Sequence, residues 1–282
     1  MSSLVRIAVP NKGRLRAPSI ELLQASGLSF EASDRALSVR VGNAEIDLLF
    51  VRTEDVPELV DDGVADLGIT GVDLLAEFGT DLEVLLELGF GRCRLAAAVP
   101  NASDLSKIED FAGKRIATAH PGVTSRFFAD AGIDVTVVPL RGSVEVATKL
   151  GVADGIVDLV STGSTLRVNG LREIGTLLES EAILVSGGRG NGAVDRIATA
   201  IGSVVAARRK RYLLLNAPRE SVDDIAALIP GLTAPTVMPL AGGDMCAVHS
   251  VVDADDVWHL LPRLEEAGGR GILVLPIEQL IP

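Results

Sequence analysis

Two segments carry residue types whose spacing suits phosphates and sugar hydroxyls. The first is Glu145-Val-Ala-Thr-Lys-Leu-Gly151-Val-Ala-Asp-Gly-Ile-Val-Asp158-Leu-Val-Ser161-Thr162-Gly163-Ser164-Thr165-Leu166, in which an apolar run leads to Asp158 and a loop of small hydroxylated residues follows. Backbone N–H groups of such a loop, with the hydroxyls of Ser161, Thr162, Ser164 and Thr165, form a nest for a phosphate without a lysine. An acid at the strand end could then hold a sugar diol. The same composition also suits an ordinary Ser/Thr turn that caps a helix. The second segment, Pro10-Asn11-Lys12-Gly13-Arg14-Leu15, follows the first apolar run and begins a cluster of Lys12, Arg14 and Arg16. Basic groups at a helix start oppose the macrodipole, a local cost that is easier to understand if an anion comes to sit there. Arg52 and the run Gly68-Ile69-Thr70-Gly71-Val72-Asp73 should leave two further strands on the same edge, where open α/β sheets bind ligands.

Positioning those loops requires a largely parallel sheet, and alternating short apolar and amphipathic runs supply one. Expected strands are Leu4 to Val9, Ile46 to Val51 and Ala65 to Thr70. Expected helices are Leu15 to Ala25, a helix N-capped by Thr53 and ending near Gly63, and Val72 to Phe78; Leu82 to Leu88 is extended. A second unit should alternate strands Leu95 to Val99, Arg115 to Thr118, Val135 to Pro139 and Ile156 to Val160 with helices Asp104 to Phe111, Thr124 to Ala131 and Val144 to Leu150. Strands Glu173 to Leu178 and Ala182 to Ser186 could return to the first unit and leave a cleft between two lobes. The glycine-rich stretch Ser186 to Gly192 reads as a mobile loop before a helix over Val194 to Arg208. From Tyr212 onward the order becomes βαββαβ, with a turn at Gly242 to Asp244, which is the ferredoxin-like unit. The expected domains are residues 1–93 with 179–209, residues 94–178, and residues 210–282.

Composition narrows the function classes. The chain has 282 residues, 48% hydrophobic and 23% charged, which excludes disorder and fibrous architectures. A net charge of −12 argues against general binding to nucleic acid or an anionic membrane, so an anionic substrate must meet a local basic pocket. No apolar run approaches the length of a membrane span and no signal peptide is recognisable, which places the chain in the cytoplasm. Cys93 and Cys246 show neither disulfide nor zinc spacing and read as small buried apolar residues.

The segment from Glu145 to Leu166 resembles the signature of the ATP phosphoribosyltransferases: an acid, five residues, Gly151, a small residue at Ala153, then Asp158-Leu159, two residues, Thr162-Gly163, one residue, and Thr165-Leu166. The Pro10 to Leu15 start, Arg52 and the Gly68 to Asp73 run are similar to that family's N-terminal half, and the βαββαβ unit marks its long form. The resemblance implies a two-lobed core like that of type II periplasmic binding proteins plus a regulatory domain. It further implies Mg²⁺ dependence, inhibition by L-histidine and a homo-hexamer, with dimer forms. Carried across residue by residue, Ser161, Thr162, Gly163, Ser164 and Thr165 should hold the 5-phosphate of phosphoribosyl pyrophosphate. Glu145 and Asp158 should serve the ribose hydroxyls or the magnesium shell. Lys12, Arg14 and Arg52 should face the phosphates of ATP or the leaving pyrophosphate, with Asp73 on the nucleotide side and Lys12, Arg52, Glu145 and Asp158 in catalytic roles. Asn216, Thr233 and Thr236 are the expected histidine contacts. His120 stands where the family often has tyrosine. A non-catalytic small-molecule binder, and a phosphoribosyltransferase for another base, are the competing classes; the second lacks its usual paired acids, because position 157 is Val.

Overall fold

The computed structural model describes residues 4–33, 36–188, 192–241 and 243–281. Part of the expected Ser186 to Gly192 loop and Gly242 of the expected turn lie outside the described residues. The chain divides into two compact units, one comprising Met1–Gln24 and Leu28–Ala198, the other Ala25–Gly27 and Thr199–Pro282.

The first lobe of the larger unit contains β1 (Val5–Pro10), α1 (Arg16–Ala25), β2 (Ser38–Arg40), β3 (Ile46–Val51), α2 (Val56–Asp61), β4 (Leu67–Gly71), α3 (Val72–Phe78) and β5 (Glu83–Glu87). The second contains β6 (Cys93–Pro100), β7 (Arg115–Thr118), α4 (Pro121–Asp130), β8 (Thr136–Pro139), β9 (Gly155–Val160), α5 (Ser164–Val168) and β10 (Leu171–Ser180). β11 (Ala182–Ser186) returns to the first sheet, whose order is β2-β3-β1-β4-β11-β5; the second sheet has the order β10-β6-β9-β7-β8. β4 and β11 are buried at every position, as expected of strands covered on both faces, whereas the edge strands β2 and β5 have no fully buried residue. Of the two strands expected to return to the first unit only β11 does so; β10, containing Glu173 to Leu178, stays in the second sheet beside β6, so the chain passes between the lobes at the β5 edge of the first sheet and the β10 edge of the second.

The smaller unit takes in α6 (Gly192–Arg208) from Thr199 onward and continues with β12 (Lys210–Pro218), α7 (Val222–Leu228), β13 (Thr236–Pro239), β14 (Met245–Asp253), α8 (Val257–Glu266) and β15 (Arg270–Pro276). Its antiparallel order β13-β14-β12-β15 is the ferredoxin-like arrangement. One face packs Leu213, Leu215, Ala217, Val248 and Val252 against Ile225, Leu260 and Leu264 of the two helices. The alternate residues lie on the other face, where Met238, Leu273 and Leu275 are 45%, 58% and 43% exposed.

Three local expectations fail for physical reasons. Val144 to Leu150 is not a helix: only Val144–Val146 makes a 3-10 turn, entered through Ser143 at φ +50. Its β-branched Val144, Val146 and Thr148 are poor helix formers. Asp104 to Phe111 shrinks to a 3-10 turn at Ile108–Phe111, because the Asp110 carboxylate captures the Ser106 and Lys107 N–H groups and the Ser106 hydroxyl. Thr53 does not cap a helix with its side chain; Thr53–Asp55 is a 3-10 turn, and its carbonyl accepts the Thr70 hydroxyl. The three-residue edge strand β2 was not expected.

Candidate active site

Parallel pairing places the basic loops side by side. Pro10 is in register with Val51, and the Asn11 N–H donates to the Val51 carbonyl at 2.7 Å, so the chain leaves β1 and β3 at one edge with Lys12, Arg14 and Arg52 exposed. Arg14 Nη2 donates to the Cys93 sulfur at 2.9 Å. β4 ends beside β1, and both glycines of its Gly68 to Asp73 run are demanded by close approach. A Cβ at Gly68 would stand 2.5 Å from Val56 Cγ1, and one at Gly71 would collide with the Asp73 carboxylate.

Asp73 is 2% exposed. Its Oδ1 accepts the Ser180 hydroxyl, and the Asp73 N–H donates back to Ser180 Oγ at 3.1 Å. Its Oδ2 lies 3.5 Å from His120 Nε2. Burial pushes the Asp73 carboxyl up, but the hydrogen bonds of His120 and Ser180, with the fields of His120 and Arg14, outweigh it and hold the group below the ordinary aspartate range.

Asp158 is in the opposite situation. Parallel β7 and β9 end together, Thr118 being in register with Val157, so Asp158 and the hydroxyl loop leave the second sheet beside His120. Asp158 is half-buried and accepts the adjacent Leu159 N–H at 2.8 Å. Burial, then the nearby Glu145, pushes its carboxyl up, more than the Leu159 N–H and His120 pull it down. Glu145 follows Ser143, the one non-glycine residue with positive φ among those described.

Glu145, Asp158 and Ser161 through Thr165 line one cleft of about 340 Å³. The side chains of Ser161, Thr162, Ser164 and Thr165 are exposed to it, and Gly163 turns the chain at φ +72. The loop is braced from behind. Arg167 Nη1 donates to the Thr162 carbonyl at 3.1 Å, and Arg94 grips Glu173 through two bonds of 2.7 and 2.6 Å while reaching the Ser161 carbonyl at 3.4 Å. Backbone N–H groups and hydroxyls so fixed can take up an anion with little reorganisation.

The structure thus gathers Glu145, Asp158 and the hydroxyl loop into one cleft, and Lys12, Arg14, Arg52 and Asp73 at the edge of the neighbouring lobe. Asn216, Thr233 and Thr236 belong to the other unit, all exposed, with Asn216 and Thr236 on its open sheet face. Sequence reasoning passed over Arg94, Glu173 and Arg167, which support the loop rather than line it. Arg167 could have been found as the cation just beyond it; Arg94 and Glu173 meet only through strand pairing. Among the described residues no group of three or more His, Cys, Asp or Glu is placed to hold a metal ion.

Comparison with known proteins gives the family. The family described as ATP phosphoribosyltransferase matches residues 52–203, and its C-terminal domain matches residues 207–279. The ATP phosphoribosyltransferase of Gemmatimonas aurantiaca is 47% identical, covering 99% of this chain and 100% of its own length. That of Methanococcoides burtonii is 43% identical with the same coverage. Among solved structures, the ATP phosphoribosyl transferase (HisG:HisZ) complex from Thermotoga maritima superposes with a TM-score of 0.61 at 29% identity, covering 70% of this chain and 98% of that one. The substrate-binding protein of an amino acid ABC transporter shares the two-lobed fold, with a TM-score of 0.50 at 14% identity over 73% of this chain and 94% of its own. The core is therefore of the periplasmic-binding-protein kind, joined to a ferredoxin-like domain, and the chain belongs to the ATP phosphoribosyltransferases, the glycosyltransferases that open histidine biosynthesis.

Proposed function

We propose that this enzyme joins N1 of the adenine of ATP to C1 of the ribose of phosphoribosyl pyrophosphate and releases pyrophosphate. The observation that carries this reading is the braced hydroxyl loop and the carboxylates of Asp158 and Glu145 in one cleft. In it, the Ser161 to Thr165 loop holds the 5-phosphate, and Asp158 and Glu145 hold the ribose hydroxyls on the side where oxocarbenium character develops. Lys12, Arg14 and Arg52 take the phosphates of ATP and the leaving pyrophosphate. Asp73, with both oxygens engaged, acts on the nucleotide side through Arg14 rather than by contact. Positioning two substrates and stabilising charge on phosphate oxygens supply most of such a reaction, and no nucleophilic side chain is needed.

Mg²⁺ fits Glu145 and Asp158. Glu145 helps push the Asp158 carboxyl up, and a divalent ion held by these two residues would relieve that repulsion and supply charge to neutralise the departing pyrophosphate. The domains are residues 1–93 with 179–209 and residues 94–178 as the two lobes, and residues 210–282 as the regulatory domain. The enzyme works in the cytoplasm, where its phosphorylated substrates are held. Its open sheet face, with apolar Met238, Leu273 and Leu275 around Asn216 and Thr236, suits a homo-oligomer, a hexamer with dimer forms, with L-histidine bound beside Asn216, Thr233 and Thr236.

Release of pyrophosphate that requires ATP, phosphoribosyl pyrophosphate and Mg²⁺ together is the expected outcome of a coupled assay; release without ATP would contradict the reading. Regulation is tested by titrating L-histidine into enzyme saturated with both substrates. Inhibition should persist, with calorimetric binding intact; inhibition fully overcome by substrate, without detectable binding, would refute a separate site.

A further inference from the structure

We propose that His120 is a positioning residue for this reaction: by joining the first turn of α4 to Asp73 of the opposite lobe, its imidazole fixes where the basic strand-end loops stand relative to Asp158 and the hydroxyl loop. The inference rests on the reading of that cleft given above. His120 is separated from β7 by Ala119 alone and forms the N-cap of α4, so it belongs to the second lobe, while Asp73 of the first lobe sits in the first turn of α3. The side chain is 8% exposed, and Nε2 reaches Asp73 Oδ2 at 3.5 Å. Its influence extends both ways: Asp73 also feels Arg14, and Asp158 feels His120. His120 thus stands between Asp73, just beyond β4 in the first lobe, and the end of β9 from which Asp158 and the hydroxyl loop leave.

A purely structural role explains His120 poorly. Its Nδ1 is buried with no hydrogen-bond partner, which penalises folding and which an apolar ring would avoid. The seam also has other fastenings. The Glu77 carboxylate accepts the Gly122 and Val123 N–H groups at 2.8 Å each, and Arg126 donates to the Ala76 carbonyl. A Cβ on Gly122 would stand 3.0 Å from Glu77 Oε1, so that contact is close-fitted. α3 and α4 can therefore stay together when His120 changes, while the finer placement that the Asp73 contact gives is lost.

The test is steady-state kinetics on the full chain with His120→Phe, His120→Asn and His120→Gln, each alone and the first also with Asp73→Asn. Phe removes both nitrogens, Asn is too short to reach Asp73, and Gln restores a donor near the Nε2 position. The expected result is a fall in kcat of about tenfold or more for Phe and Asn, with KM for both substrates within about threefold, because misplacement is felt in the transition state. His120→Gln should recover most of kcat, melting temperatures should not fall in step with activity, and His120→Phe should add less than about twofold in the Asp73→Asn background. If the Phe variant fails to fold, the Asn and Gln pair decides. An undiminished kcat in Phe or Asn, a Gln variant no better than Asn, or an unchanged His120→Phe effect without the Asp73 carboxylate would overturn the proposal. A wild-type chain that releases no pyrophosphate would instead overturn the function on which it rests.

Discussion

Asp73 lies just beyond the C-terminal end of β4 and Asp158 just before that of β9, both near His120, yet the fold treats them oppositely. Asp73 is sealed in and has every oxygen answered, by Ser180 and His120, so its carboxyl is held low. Asp158 is half-buried, accepts the N–H of its own neighbour and faces Glu145, so its carboxyl is pushed up. A carboxyl whose oxygens are all answered is suited to holding structure together; one whose ionised form burial and a neighbouring acid disfavour has the character expected of a functional site. The same contrast separates the α3–α4 seam from the 161–165 loop, whose hydroxyls are exposed while its backbone is braced from behind.

Replacing the two aspartates separates these roles. Asp158→Asn should lower kcat on the order of a hundredfold by removing a preorganised charge at the ribose. It should not lower the melting temperature at neutral pH, and should raise it. Retained turnover, or a destabilised protein, would break the comparison. Asp73→Asn has the smaller, opposite effect: a loss of about 1.5–3 kcal/mol of stability, the usual worth of a hydrogen bond to a charged group, read from denaturant unfolding.

Acidification sharpens the contrast. Because its folded pKa is depressed, the stability Asp73 contributes is present above the ordinary aspartate range and disappears as pH falls through that depressed value. Asp158 is raised, so its penalty is absent below the ordinary range, grows as pH rises from that range to the raised value, and is complete above it. Stability differences between wild type and the two variants should thus have opposite signs at neutral pH and shrink together in acid. Differences that keep their neutral-pH size in acid would show that the substitutions act by packing alone.

Much of this contrast was hidden in the sequence. The hydroxyl loop was legible because its residues are contiguous and follow a buried strand, and elements such as Ile46–Val51, Val72–Phe78 and Ala182–Ser186 matched their expected bounds because local periodicity and turn residues delimit them. The partners of Asp73 were not legible: Ser180 lies 107 positions away, and no local pattern announces it. Arg94 and Glu173 likewise meet only once β6 and β10 pair. The failed helix at Val144 to Leu150 shows the limit from the other side, since an amphipathic rhythm there was overruled by β-branched residues and a left-handed Ser143.

The claim that the loop after Asp158 is the phosphate site is tested most directly by calorimetric binding of phosphoribosyl pyrophosphate to wild type and to the Ser161→Ala, Thr165→Ala double variant. Each lost charge-assisted hydrogen bond is worth about 1.5–3 kcal/mol, so affinity should fall at least about a hundredfold while the melting transition stays cooperative and unshifted. An unchanged affinity in the folded double variant would contradict the account.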